Sequence, residues 1–323
     1  YVGQIYQPLT QLTNARVDVM TALVSFERVF EVLDLEPMVK NRENAKVLQT
    51  TQPRIEFKNI NFSYPRAEEI SLASLESAAK AETVQSGQVL NELSFVAAPG
   101  TMTALVGPSG AGKTTIAQLL TRMYETSTGQ ILMDGVDVNQ YQVQHLRNAI
   151  GYVQQDVFLF SDTIQNNIQF GLKEKVAYDD LTHAAKTSHV LNEINSLPNK
   201  FETLVGERGT TLSGGQKQRV ALARTILANP TIIVLDDTTS AVDTITEKRI
   251  LNELDNSLKG KTAIIIANRI ASIQKASWII VLDKGKVAQQ GSQKDLLKNS
   301  VFYQSIQDIQ SHLEEEIQLE IAN

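Results

Sequence analysis

Short runs of apolar residues alternate with helical patterns along most of the chain. The runs at residues 232–235 and 263–266 consist entirely of Ala, Val, Leu and Ile. A strand that is apolar on both faces is typical of a parallel sheet covered by helices on both sides. Because helical patterns separate these runs, the sequence predicts an α/β fold.

A helical pattern precedes the strands, from about residue 8 to residue 33. Its apolar residues recur at three- or four-residue spacing and include Leu12, Val19, Leu23, Phe26, Phe30 and Leu33. Two interpretations stay open: a helix packed on the core, or the cytoplasmic end of a longer helix whose upper part is missing. We assign residues 1–35 to this helix and residues 36–53, which include a polar stretch from Lys40 to Pro53, to a linker.

Three further segments differ in composition from the rest. Residues 67–87 are rich in Ala, Ser and Glu and predict a surface insertion. Residues 156–225 are dominated by helical patterns and predict an inserted helical subdomain. Residues 311–323 predict an acidic tail. The main domain is therefore expected at residues 54–310.

Charge and composition exclude several classes of function. The net charge is -6, so no basic surface is present to recruit nucleic acid. There is no cysteine, which excludes disulfides and thiolate metal sites and fits a reducing cytosol. No apolar run approaches the ~20 residues that span a bilayer. The chain opens at Tyr1 without a signal peptide, and we expect it to be a fragment of a longer protein.

Residues 107–114 read Gly-Pro-Ser-Gly-Ala-Gly-Lys-Thr and match the phosphate-loop pattern. Glycines let successive backbone N–H groups curl around a phosphate, and the helix that follows adds its partial positive charge. Lys113 is expected to reach the β- and γ-phosphates of a nucleotide, and the Thr114 hydroxyl to hold Mg²⁺. The residues assigned to ATP in this segment are Gly107, Ser109, Gly110, Gly112, Lys113, Thr114 and Thr115.

The apolar run at residues 232–235 ends in Asp236, which predicts the second half of such a site. A strand of this kind aims its terminal carboxylate at a metal ion from the carboxyl edge of the sheet. Many strands end in Asp, so the signal is weak alone and strong downstream of a phosphate loop. We therefore expect Asp236 to be a ligand of Mg²⁺.

A second glycine turn, Leu-Ser-Gly-Gly-Gln at residues 212–216, opens a predicted helix that extends to residue 228. Backbone N–H groups at a helix start bind anions. Two such turns with one loop lysine indicate that the second turn serves a nucleotide held by another copy. With this motif the chain resembles the ATP-binding cassette superfamily, whose signature is Leu-Ser-Gly-Gly-Gln. The resemblance extends from residue 54 to about residue 310, with the motifs in the family's order.

The resemblance implies a P-loop NTPase with a parallel-sheet ATPase core, a small antiparallel β region and an inserted α-helical subdomain. It implies that Tyr64 stacks on adenine, that Gln155 meets Mg²⁺ and a membrane-domain coupling helix, and that Asp243 lies in the D-loop that crosses to the second site. Two such cassettes close head to tail around ATP. The residues implied to contact the partner's ATP are Ser213, Gly214, Gly215 and Gln216.

Two segments are similar to those of exporters within this superfamily. Residues 205–209, Val-Gly-Glu-Arg-Gly, look like the loop that precedes the signature in exporter cassettes, and residues 25–34 look like the end of the last transmembrane helix. This favours the second interpretation of the N-terminal helix, as a stub joined to a transmembrane domain of the same polypeptide. We expect a soluble fragment that works at the cytoplasmic face of a membrane, the bacterial inner or plasma membrane.

Two positions depart from the family's pattern at the chemical centre. The catalytic base after the strand is usually Glu and here is Asp237, and the usual switch histidine is replaced by Asn268. Asp237 places its carboxylate about 1.5 Å further from the attacking water, and a misplacement of about 1 Å can cost ~100-fold in rate. An amide at position 268 exchanges no proton near neutral pH. We predict catalytic roles for Asp237, Asn268 and Gln155, with slow turnover.

Because every binding motif is intact, the sequence favours the degenerate member of a heterodimeric exporter, whose signature completes the partner's competent site. A homodimeric exporter cassette in which Asp237 is sufficient stays open, as does a regulatory module that binds ATP without turnover. DNA-repair and chromosome-organising cassettes would need long coiled coils or a basic surface. A soluble metabolic kinase has no use for the signature at residues 212–216.

Overall fold

The computed structural model describes the chain in several stretches. They are residues 2–65, 87–172, 174, 176–238, 249, 250, 252, 253, 258–267, 273, 275–300, 303 and 304. The predicted insertion at 67–87, except residue 87, and the predicted tail at 311–323 lie outside the described residues. The chain divides into two compact units, one of Tyr1–Met38 with Tyr64–Gly87 and one of Val39–Ser63 with Gln88–Asn323.

The first unit contains helix α1 (Val2–Leu33). It begins before the periodic apolar pattern, which starts at about residue 8, and lies within the assigned segment 1–35. Pro8 therefore lies inside the helix, where it removes one backbone hydrogen bond. The apolar stripe of α1 is exposed: Val19 at 58%, Leu23 at 56% and Phe26 at 59%. Among the described residues, no helix is both long enough and apolar enough to cross a membrane.

The described part of the second unit contains two β-sheets. Their strands are β1 (Ile55–Phe62), β2 (Leu90–Ala97), β3 (Met102–Val106), β4 (Thr128–Met133), β5 (Val136–Asp137), β6 (Ile150–Val153), β7 (Ile232–Asp236), β8 (Thr262–Ile266), β9 (Trp278–Asp283) and β10 (Lys286–Gly291). The larger sheet has the order β10-β9-β3-β8-β7-β6 and is parallel except for the β9–β10 pair. All residues of β7 and β8 are buried, as their continuous apolar runs predict.

The smaller sheet has the order β2-β1-β4-β5 and is antiparallel throughout. The rings of Phe57 on β1 and Phe95 on β2 stack with centroids 4.4 Å apart. Both side chains are buried, together with Ile55 and Leu93. This sheet confirms the small antiparallel β region that the family resemblance implies.

In the described part of the second unit, helices occur between and after the strands. They are α2 (Lys113–Leu120), α3 (Val143–Ala149), α4 (Ile164–Gln169), α5 (Tyr178–Thr187), α6 (Leu191–Ser196), α7 (Gly214–Ala228) and α8 (Gln293–Asn299). Helices α4 to α7 enclose an apolar core of their own, to which Ile168, Leu181 and Val220 contribute. A second core packs on the parallel sheet. The predicted α/β fold, with its helical subdomain, is confirmed.

Candidate functional site

The loop at residues 107–112 connects β3 to α2 and requires glycine at two positions. Gly107 has φ 154°, and a Cβ there would collide with the carbonyl oxygen of Leu282 on β9. Gly112 has φ 95°, and a Cβ there would lie 2.5 Å from Cδ2 of Leu90 on β2. Only a residue without a side chain fits these two places, because the backbone is left-handed and closely packed.

Lys113, the first residue of α2, lies over this loop. Its Nζ donates hydrogen bonds to the carbonyl oxygens of Gly107, at 2.8 Å, and Pro108, at 3.0 Å. Burial lowers the pKa of Lys113, and the negative charges of Asp236 and Asp237 oppose that shift. The structure therefore brings the ammonium group and both carboxylates into one electrostatic neighbourhood.

The other predicted loop residues differ in their exposure. Ser109 and Gly110 are exposed, Thr114 is half-buried, and Thr115 is buried within α2. The exposed tip leaves room for a ligand at the start of α2, where backbone N–H groups favour anions.

Asp236 ends β7 and is 1% exposed. The Tyr152 hydroxyl donates to its Oδ2 at 3.2 Å, and the Thr114 side chain also hydrogen-bonds to it. Burial raises the pKa of Asp236, while these two hydrogen bonds and the charge of Lys113 act in the opposite direction. A buried carboxylate beside a hydroxyl is a set of hard oxygen donors, which is what Mg²⁺ prefers. The residues present thus fit a magnesium ion.

Asp237 turns sharply away from β7. Its φ is 47°, in the left-handed region that Asp tolerates better than most residues. Its backbone N–H donates to the carbonyl oxygen of Ile266 on β8 at 2.9 Å, and its side chain is half-buried. The carboxylate therefore belongs to the carboxyl edge of the sheet, where β3 and the loop also end.

Tyr152 also belongs to this cluster, although the sequence alone does not predict it. It lies on β6, whose register pairs it with Val234 of β7, two residues before Asp236. Nothing in a run of four strand residues marks one tyrosine as a partner of a distant carboxylate. The signal lies in the pairing of β6 with β7, which becomes visible only when the sheet order is known.

Gln155 follows β6 and is exposed. Beside it lies a groove of about 270 Å³, lined by Phe158, Phe160, Phe170, Arg224 and neighbouring residues. The rings of Phe160 and Phe170 are 4.3 Å apart, and the Arg224 guanidinium lies 5.5 Å from the centroid of Phe170. A groove rimmed by exposed aromatic side chains is typical of a protein–protein contact.

The predicted signature turn forms the start of α7. Ser213 Oγ accepts from the Gln216 N–H at 3.3 Å, and Gln216 Oε1 accepts from the Ser213 N–H at 2.9 Å. This capping box fixes the turn and leaves Ser213 and Gly214 exposed, while Gly215 is buried. The first N–H groups of a helix lack intrahelical partners, so an exposed turn of this kind can receive an anion.

Three predicted site residues lie outside the described part of the second unit. Asp243 and Asn268 lie outside the described residues. Tyr64 belongs to the first compact unit, so its contact with adenine stays a prediction.

Comparisons with known proteins agree with this geometry. The family model described as ABC transporter matches residues 90–240. An ATP-dependent lipid A-core flippase of Pseudomonas fluorescens is 38% identical over 301 residues, which are 93% of this chain and 47% of that protein. A flippase of the same name from Haemophilus influenzae is 36% identical over 304 residues, 94% of this chain and 48% of that protein.

A solved structure of a bacterial Atm1-family ABC exporter with ATP bound matches with a TM-score of 0.81 at 38% identity. The match covers 95% of this chain and 50% of that one. The chain thus spans about half the length of the relatives it matches.

Proposed function

This chain belongs to the ATP-binding cassette family of ABC transporters, and on that premise we propose that it is the ATP-hydrolysing cassette of a membrane exporter. The proposal rests on one observation: Lys113, Thr114 and buried Asp236 lie together at one edge of the parallel sheet. This is the arrangement that phosphoryl chemistry needs, with a cation for the phosphates and oxygen ligands for a metal.

In this proposal the loop from Gly107 to Gly112 holds the phosphates through its backbone N–H groups. Lys113 exchanges its bonds to loop carbonyls for bonds to phosphate oxygens, and Tyr64 stacks on adenine. Thr114, Asp236 and Gln155 hold Mg²⁺, which neutralises developing phosphate charge when bound.

We propose that Asp237 orients the attacking water and accepts its proton. Its place directly after Asp236, at the same sheet edge as Lys113, supports this role. Its short side chain, together with Asn268 in place of histidine, supports slow turnover. The runner-up is a homodimeric exporter cassette in which Asp237 is sufficient.

We further propose that this cassette pairs with a second cassette. The second cassette is favoured to be a different polypeptide. The exposed turn at Ser213 and Gly214 supports this, because an exposed helix start can meet the γ-phosphate of ATP bound to the partner. Asp243 is proposed to cross the same interface. The degenerate cassette then contributes an intact signature to a competent partner site.

A transmembrane domain is the proposed second partner, on the cytoplasmic face of a membrane. The groove beside Gln155 supports its docking, since Phe158 and Phe170 are 54% and 53% exposed. The exposed apolar stripe of α1 supports the interpretation of α1 as the end of a membrane helix. Apolar side chains exposed next to one another are typical of surfaces that contact a protein or a membrane.

Binding of fluorescent ATP and phosphate release by Lys113→Ala test the proposal. Losing a charged hydrogen-bond donor is expected to weaken ATP binding on the order of 10- to 100-fold. The matched control is Lys261→Ala, because Lys261 is also partly buried but precedes β8, at the opposite edge of the sheet, and donates to Asn229 Oδ1 at 2.7 Å. Equal ATP affinity of the two variants would contradict the assignment. ATP binding without phosphate release, both by the wild type and after Asp237→Glu plus Asn268→His, would favour a regulatory module.

A further inference from the structure

The C-terminal end of α2 carries an unusual arginine. Arg122 follows the helix cap at Thr121 with φ 51°, and it is 1% exposed. Its N–H donates to Leu119 O at 3.0 Å, and the Met123 N–H donates to Gln118 O at 2.9 Å. This helix ending usually has glycine at the left-handed position, because other residues are strained there. An arginine at this left-handed position indicates that its side chain makes interactions that offset the backbone strain.

The guanidinium of Arg122 joins three parts of the second unit. Nη1 donates to the Tyr141 carbonyl at 3.1 Å, and Nη2 donates to the Lys40 carbonyl at 3.2 Å and to Glu125 Oε1 at 2.9 Å. Its planar fork can bridge several acceptors at once, which the single ammonium group of lysine cannot do in the same way. Lys40 lies in residues 36–53, the segment that the sequence predicts to be a linker.

Further hydrogen bonds attach the same stretch to the cassette. The Val143 N–H donates to Asn41 Oδ1 at 2.8 Å. The Lys46 N–H donates to Gln140 O at 2.7 Å, and the Gln142 N–H donates to Lys46 O at 2.9 Å. Residues 40–46 are therefore held at both ends, at 40–41 and at 45–46, by backbone and side-chain contacts within the second unit.

The two ends of α2 thus carry different groups. Lys113 begins the helix at the phosphate loop, and Arg122 follows its end at the attached stretch. A helix of eight residues is about 12 Å long and stiff. Residues 34–39 join the attached stretch to α1.

We propose that Arg122 is a positioning residue that fastens residues 40–46 to the end of the phosphate-binding helix. A displacement of α2 during ATP-driven closure is then passed directly to the connection with α1. The transport consequence rests on the proposed function above. The attachment itself is a property of this chain.

Hydrogen–deuterium exchange of the whole 323-residue chain tests the attachment. Arg122→Gly suits the left-handed backbone, so α2 is expected to stay intact while the amide of Lys46 exchanges at least tenfold faster. Arg122→Lys is expected to act in the same direction and decides the question if the glycine variant fails to fold. The control is Arg54→Ala, an arginine of the same unit that pairs only loosely with Glu56, at 3.9 Å. Exchange at Lys46 within twofold of wild type in both Arg122 variants would overturn the proposal.

The same experiment with ATP and Mg²⁺ tests the transmission. We expect nucleotide to protect the loop amides and to change exchange at Lys46 at least twofold in the wild type, with the second effect lost in Arg122→Gly. Protected loop amides with no change at Lys46 in the wild type would overturn the transmission alone. Unprotected loop amides would refute the proposed ATP site and leave the attachment result unaffected.

Discussion

Replacing Tyr152 by phenylalanine removes one hydrogen bond of the buried carboxylate cluster. The ring is kept, and the hydroxyl that donates to Asp236 Oδ2 at 3.2 Å is lost. Asp236 is 1% exposed, and burial already raises its pKa. Water therefore cannot easily replace the missing donor, and the native state should be destabilised.

The expected cost follows from the geometry of this bond. A hydrogen bond to a charged group contributes about 1.5–3 kcal/mol. The distance is long for an O–H···O bond, and Thr114 still donates to Asp236, so the lower end applies, about 1.5 kcal/mol. For a domain of this size that corresponds to a fall in Tm of about 3–6 °C.

Urea denaturation followed by circular dichroism measures this difference. The matched control is Tyr178→Phe, because Tyr178 is 61% exposed and its ring packs edge-on against Phe201 at 5.8 Å, a contact that the substitution keeps. We expect the control to change the free energy of unfolding by less than about 0.5 kcal/mol. A Tyr152→Phe variant as stable as the control would refute the inference that the hydroxyl supports Asp236.

Two further substitutions test other parts of the site. Gly112→Ala places a Cβ 2.5 Å from Leu90 at φ 95°, so it should destabilise the fold by about 1–3 kcal/mol and weaken ATP binding. Gly110→Ala is the control and should destabilise the fold less, because a Cβ there has nothing within 4 Å. Equal losses of unfolding free energy in urea denaturation would contradict this expectation. Ser213→Ala removes the N-cap of α7, which should lower the free energy of unfolding by about 1 kcal/mol. It should leave ATP binding by this chain unchanged. It should lower ATP hydrolysis by a mixed pair of cassettes, measured as phosphate release. Weakened ATP binding by Ser213→Ala alone would argue against a role at the partner's site.

The sequence was sufficient for the parts of the site that depend on local spacing. The loop glycines predict Lys113 because they stand at fixed offsets from it, and the structure requires glycine at 107 and 112. Asp236 was recognised because it ends a fully apolar strand, and that strand is buried along its whole length. In both cases local chain geometry already decides where the functional group lies.

Other features depend on pairings between distant parts of the chain. Tyr152 joins the cluster only through the register of β6 with β7. The polar stretch around Lys40 predicts a linker, but its backbone is bound by Arg122 and Gln142, which polarity cannot reveal. Strand β2 lacks a regular alternation of buried and exposed residues, and Glu92 interrupts it with φ 51°, so its residues do not predict a strand by themselves.

The most direct test of the proposed degenerate site is ATP binding and steady-state hydrolysis by the purified chain, repeated with Asp237→Glu plus Asn268→His. We predict tight binding of ATP with Mg²⁺, negligible turnover by the wild type, and turnover at least tenfold higher in the double variant, in line with the cost of a misplaced base. Brisk turnover by the wild type, unchanged by the two substitutions, would contradict a degenerate site and indicate a self-sufficient homodimeric exporter cassette.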